Sequence, residues 1–421
     1  MNATFPKTIL QLLLWCAALV CIVPLAHAAV YDFYLGDARN RSLRLNIPDS
    51  VPVVRGIIIY GNGANLDARS AATDPELVAL ATSLDCAVMG TAYWGYFSED
   101  DSPMELPGFK YGLQQLSRQS RHPEIFNAPW MPSGMSNGGN MAYELNAQRA
   151  SKVIAFMSNK GGFYSHLRPD AAALATPGVL IAGQRDDQPH HEIIQDLFTG
   201  NRPRGALWVA VEEEGVAHNT GNAREFFYPY LEFMFRVRYP AGASPLAGPV
   251  PLLTLNEAAG WLTDPDSYKT GLAEIAPYAS YPKDKKTAGW LPTRRLAFIY
   301  RAFASYHKAT PDAKVAPGTG PVDWGTTITY SIGQPVAPWT SVEFYEGDVL
   351  LKRVTPAEGG NLAVVTIPTA PGYSVYHALV TFADGTQRTT MPRRVFVRAG
   401  SPAASVTGAT PARPTSTSAG P

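Results

Sequence analysis

The sequence predicts an α/β domain built on a mostly parallel central sheet, followed by a smaller C-terminal antiparallel β-sandwich. Over residues 30–240, short apolar runs alternate with helix-like segments, the pattern of strands joined by crossover helices. From about 320 to 398, period-two alternation dominates, as in Thr327-Ile328-Thr329-Tyr330 and Val342-Glu343-Phe344-Tyr345. Glu346-Gly347-Asp348 and Ala383-Asp384-Gly385 supply turn chemistry there. Between the two, Ala241-Gly242-Ala243-Ser244-Pro245 breaks the pattern with a linker-like composition.

Residues 1–28 carry Lys7, an apolar run from 9 to 25, and Ala26-His27-Ala28 before Ala29. These are the charged, apolar and small-residue parts of a secretory signal cleaved after Ala28. The chain is therefore expected to be secreted or periplasmic, with no membrane span once the signal is removed. Cys16 and Cys21 lie inside that segment, which leaves Cys86 alone. No disulfide framework is expected, and Cys86 reads as a buried, inert thiol.

Within the α/β part, residues 29–240, strands are expected at 42–47, 56–60, 87–92, 129–133, 153–158, 179–182 and 206–211. Helices are expected at 75–84, 110–119, from 137 or 138 to 148, 190–197 and 223–235. Asp74-Pro75-Glu76 opens the first of these, with Asp74 as its cap and Pro75 in its first turn. Residues 241–319 read as a linker and packing segment with a helix at 293–306. Its two triplets, Gly260-Trp261-Leu262 and Gly289-Trp290-Leu291, read as aromatic anchors. The sandwich follows over 320–398. Residues 399–421, almost only Ala, Ser, Thr, Gly and Pro, are expected to form a disordered tail because they hold too little apolar area to offset ordering entropy.

Composition narrows the function. Lys and Arg total 35 against 35 Asp and Glu, so formal charge is zero, and dedicated nucleic-acid binding is excluded as a main role. Hydrophobic residues at 46% permit full cores. The chemistry sits in Gly134-Met135-Ser136-Asn137-Gly138-Gly139, between an expected strand and an expected helix. A turn that sharp needs residues without bulky side chains two before and two after the serine, whose oxygen then projects above the sheet. A serine nucleophile also needs a base, and a carboxylate to orient the base. After the strand at 179–182 comes Gly183-Gln184-Arg185-Asp186-Asp187, and after the strand at 206–211 comes a loop ending in His218. We take Ser136 as nucleophile, His218 as general base and Asp186 as orienting acid, with Asp187 as the alternative acid. The developing oxyanion needs two backbone N–H donors. Asn137 supplies one, and the loop after strand 56–60 the other, through Asn62 or, second, Ala64.

Residues 30–240 resemble the α/β-hydrolase superfamily, particularly its exported esterase and polyester-depolymerase branches. The resemblance rests on the elbow at Ser136, Gly-x-x-Asp ending at Asp186, and the late His218, all in the family's chain order. It departs at the oxyanion loop, where many relatives have His-Gly and this chain has Tyr60-Gly61. Residues 320–398 are similar to bacterial immunoglobulin-like modules. The resemblance implies a small-molecule or polymeric ester substrate and an acyl-enzyme. A serine peptidase or amidase on the same fold, and a non-catalytic cell-surface binding protein, are the competing readings.

Tyr93 and Trp94 follow a strand at the expected site edge and are candidates for an aromatic substrate wall, or for core packing. No cofactor and no metal are expected, because His190 and His191 are adjacent and diverge on a helix, with no suitably spaced partner after them. Glu212-Glu213-Glu214 reads as a solvated turn.

Overall fold

The computed structural model describes residues 29–36, 40–92, 106–269, 271–305, 310–358 and 360–399. The segment read as a signal and residues 400–421 of the tail lie outside them. Eight strands form the main sheet: β1 Ala29–Tyr34, β2 Ser42–Ile47, β3 Gly56–Gly61, β4 Cys86–Ala92, β5 Trp130–Met135, β6 Phe156–Asn159, β7 Gly178–Gly183 and β8 Trp208–Glu213. Their spatial order is β1-β2-β4-β3-β5-β6-β7-β8. The six strands from β4 to β8 in that order are parallel, β2 is antiparallel to β4, and β1 is antiparallel to β2. β1 has no counterpart among the strands expected from the sequence. It follows directly on the apolar N-terminal run, which hides its alternation.

Helices α1 Pro75–Ser83, α2 Leu106–Ser120, α3 Asn137–Arg149, α4 Ala171–Leu174, α5 Gln188–Asn201 and α6 Ala223–Arg238 cover the two faces. α1 starts at Asp74, whose carboxylate accepts from the Glu76 and Leu77 amides, so the cap satisfies donors that have no intrahelical partner. Strand periodicity divides the core in two. Ile58, Val88, Val179 and Ile181 join the cluster with α1 and α6, while Ile57, Ile59, Met89 and Leu180 join the one with α2, α3 and α5. The thiol of Cys86 is buried, and that burial pushes its pKa well up.

Residues 241–304 add to the first face. β9 Trp261–Thr263 pairs with β10 Ile275–Pro277 and β11 Gly289–Leu291. The two Gly-Trp-Leu triplets thus pair with each other, Trp290 opposite Leu262 and Leu291 opposite Trp261. Trp290 is buried in the core cluster that also holds α6. α7 Arg294–Ala304 follows, and the Tyr300 hydroxyl donates to the Ala210 carbonyl of β8 at 2.8 Å.

The C-terminal strands are β12 Ala313–Ala316, β13 Val322–Asp323, β14 Ile328–Ile332, β15 Trp339–Glu346, β16 Val349–Val354, β17 Ala363–Thr366, β18 Gly372–Phe382, β19 Gln387–Thr389 and β20 Arg393–Arg398. They form two sheets, β12-β14-β17 and β13-β20-β18-β15-β16, with β19 on β18. All pairings are antiparallel except β13 with β20. β18 serves two cores. Tyr376, Ala378, Val380 and Phe382 face the core shared by these sheets, while Tyr373 and Val375 join the cluster around α6.

Buried charge pins this junction. Arg394 forms a two-point pair with Glu76, 2.6 Å from each oxygen, and lies 2.9 Å from Glu225 of α6. The Tyr373 hydroxyl donates to Glu76 at 3.0 Å and its amide to Glu232 at 2.7 Å. The guanidinium is 8% exposed, so removing it strands two carboxylates away from water. Arg394→Met should lower unfolding stability by about 3–5 kcal/mol in urea titrations. A loss below about 1 kcal/mol would assign the junction to apolar packing alone.

Candidate active site

Ser136 stands at the tight turn between β5 and α3 with φ 55° and ψ −123°. A left-handed φ is unusual for a residue with a side chain and costs on the order of 1–3 kcal/mol. The surrounding glycines make the turn possible. A Cβ at Gly134 would lie 2.4 Å from the Gly138 carbonyl carbon, and one at Gly138 would lie 2.2 Å from that of Gly61. Although Ser136 occupies the N-cap position of α3, its side chain caps no amide. Its Oγ lies instead 2.9 Å from His218 Nε2.

His218 sits on the loop between β8 and α6. Its Nδ1 lies 2.9 and 3.0 Å from the two oxygens of Asp186, whose side chain is 1% exposed against 35% for the histidine. A buried carboxylate accepting a hydrogen bond from Nδ1–H keeps the proton on Nδ1 and leaves Nε2 as the acceptor that faces the serine. Asp187 points elsewhere. It caps α5 by accepting from the His190 amide, and it pairs with His190 Nδ1. The two loops are stitched together, because Gln184 and Arg185 donate their amides to the Glu213 and Val216 carbonyls at 3.0 and 2.9 Å.

The oxyanion candidates lie beside the serine. Asn137 opens α3, where first-turn amides have no intrahelical acceptor. The Asn62 carbonyl accepts from the Gly138 amide at 2.9 Å, and its side chain accepts from Gly63 at 2.8 Å. A Cβ on Gly63 would lie 3.7 Å from that of Ser136 and 3.3 Å from Leu66 Cδ1. Leu66 is exposed, as is Phe163, whose ring meets His190 edge-on at 6.2 Å. His190 in turn lies 4.4 Å from the His218 ring. Tyr93 and Trp94 lie outside the described residues.

Two site features were not legible from sequence. The first is the glutamate run: Glu213 is fully buried and not part of a solvated turn. Its carboxylate meets Lys160 Nζ at 3.0 Å and accepts from the Asn222 side chain at 3.0 Å. Lys160 is fully buried at the end of β6 and also donates to the Asn159 side chain at 2.9 Å. Burial pushes its pKa down, against the pull of Glu213 and Asp186. The Asn159 amide group reaches the Thr220 carbonyl at 3.0 Å, so this charged cluster holds both ends of the His218 loop. The only sequence signal for it is a lysine before Gly161-Gly162 at a strand's carboxyl end.

The second is His190. It diverges from His191, which pairs with Glu212 at 2.6 Å. Yet one ligating atom each of Asp186, His190 and His218 lies within 4.8 Å of the others. The fold thus brings together groups that linear spacing separates, although Asp186 already pairs with His218 and His190 with Asp187.

No family model matches the chain, and no curated protein matches it. Solved structures similar to it include a ferulic acid esterase, at 14% identity and TM-score 0.39 over 50% of this chain and 98% of that one. An esterase from Pyrobaculum calidifontis shows 16% identity and TM-score 0.34 over 56% and 91%. Fluorophosphonate-binding serine hydrolase F of Staphylococcus aureus shows 9% identity and TM-score 0.36 over 49% and 98%.

Removing Glu213 alone would leave Lys160 as an unpaired buried cation. Glu213→Ala should cost about 3–5 kcal/mol in urea unfolding. The double variant Lys160→Met with Glu213→Gln should recover more than half of that loss, because no net charge then stays buried. Equal loss in both would show that the carboxylate's contact with Asn222, and not charge pairing, carries the effect.

Proposed function

We propose that this chain is a serine hydrolase of the α/β-hydrolase type that cleaves carboxylic esters through an acyl-enzyme. The observation that carries this reading is the aligned series of Ser136 Oγ, His218 Nε2, His218 Nδ1 and Asp186, each contact 2.9–3.0 Å. As Ser136 Oγ bonds to the ester carbonyl carbon, its proton passes to His218 Nε2, and Asp186 stabilises the imidazolium. The carbonyl oxygen becomes an oxyanion that accepts from the Asn137 and Asn62 amides; losing one such donor costs about 3 kcal/mol of transition-state stabilisation. When the C–O bond breaks, the imidazolium returns its proton to the departing alcohol. Water then repeats the sequence on the acyl group, releasing the acid and restoring Ser136.

Leu66 and Phe163, exposed near the serine and the histidine, would offer apolar walls to the acyl or alcohol part. Tyr93 and Trp94 are proposed for the same rim. We further read residues 1–28 as an export signal, which makes the enzyme secreted or periplasmic, and the C-terminal sheets as an immunoglobulin-like module. An appended module suits a bulky or polymeric ester.

A fluorophosphonate probe should label the wild-type protein once per chain, and Ser136→Ala not at all. No labelling of either would favour a binding protein. Asp186→Asn should reduce ester turnover by about 10⁴-fold, whereas Asp187→Asn, which keeps a capping side chain, should change it less than about tenfold. The reverse ranking in p-nitrophenyl ester assays would make Asp187 the acid. A panel of short-chain, long-chain, aryl and polymeric esters would fix the substrate class.

A further inference from the structure

A cavity of about 670 Å³ opens on the opposite edge of the main sheet from Ser136. Pro129 and Trp130, at the start of β5, line it, while the nucleophile follows the end of that strand. Six residue steps of extended chain, roughly 20 Å, separate Trp130 from Ser136. The volume falls in the usual range for small-molecule sites, and its position sets it apart from the ester chemistry.

Its lining combines apolar walls with unbalanced charge. Leu113, Phe126, Trp130 and Val250 supply apolar surface, and Lys110, Arg149, Lys152 and Arg238 supply four cations. Among the described residues, no aspartate or glutamate lines it. Among the described residues, none of these four cations forms a salt bridge, although such pairs are common elsewhere in the fold. Arg238, at the end of α6, is 6% exposed. It donates only to the carbonyls of Leu253, Val153 and Ile154, which satisfy its hydrogens without neutralising its charge. Lys152 donates to the Phe126 carbonyl, and its ammonium lies 5.3 Å from both the Phe126 and Trp130 rings. Burial, then Lys110 and Arg149, bring its pKa down to about 8. Gathering like charges around a partly desolvated space is unfavourable unless an anion completes it.

We infer that this cavity is a binding site for an organic carboxylate with an apolar body, the carboxylate among Lys110, Arg149 and Lys152 and the body against Trp130 and Val250. The apolar walls favour a hydrocarbon or aryl group over a compact inorganic anion, and the cations favour an acid over its neutral analogue. This inference stands apart from the proposed hydrolysis and survives its failure.

Equilibrium dialysis of the full-length Ser136→Ala protein against labelled octanoate and 3-phenylpropanoate tests it, with octanamide and 3-phenylpropanamide as neutral controls. The expected result is saturable binding at one site per chain for at least one acid, with its amide about tenfold weaker or worse. Lys152→Met combined with Arg149→Met should weaken that acid by a similar factor. Ala172→Trp, which fills the mouth from an exposed lining position, should also weaken it and guards against misfolding of the charge variants. Retention of binding in His218→Ala is expected. No saturable binding of either acid, equal binding of acid and amide, or binding unchanged by both cavity variants would overturn the inference.

Discussion

The site depends on how closely the first turn of α3 approaches the ends of β3 and β5. Backbone from Gly138 lies where side-chain atoms of Gly134 would have to be, and Gly61 backbone lies where those of Gly138 would be. The approach brings the Asn62 carbonyl onto the Gly138 amide and holds Ser136 at φ 55°. Because the serine hydroxyl is turned from the helix end toward His218, a group that elsewhere would cap a helix is held at the imidazole instead.

Two buried ionic clusters organise what surrounds that turn. Lys160 and Glu213 tie the ends of β6 and β8 to the loop carrying His218, and Arg394 with Glu76 and Glu225 ties the C-terminal sheets to α1 and α6. Desolvation offsets much of the Coulombic gain in such pairs. Their stronger effect is geometric, since each charge has a few acceptable partners and a misplaced loop or sheet would leave one unmatched. Apolar packing on both faces of the main sheet supplies the driving force, while the charges select among its arrangements.

The sequence was most informative where a repeating physical pattern recurs. The strands at 56–61 and 86–92 lie near their expected positions because their residues alternate between two cores, and the strand at 42–47 because Leu43, Leu45 and Ile47 face one core between polar residues. α1 begins where Asp74 and Pro75 mark it. Pattern fails where an element is too short or its surroundings reverse its meaning. β9 and β11 have three residues each, too few to show a period, so their mutual pairing was not legible. The run Glu212-Glu213-Glu214 looks solvated until β6 delivers Lys160 beneath it.

By itself the sequence determined the candidates for the proposed chemistry, because nucleophile, base and acid must be particular residue types and the tight turn demands glycine on both sides of Ser136. Only the tertiary structure sets the two carboxylates apart: Asp186 turns to His218 while Asp187 caps α5. Neighbouring residues share a composition and a loop, so only the three-dimensional path of that loop distinguishes them. The same holds for the cationic cavity, whose charges come from α2, α3, the turn after α3 and α6, segments brought together only by folding of the sheet.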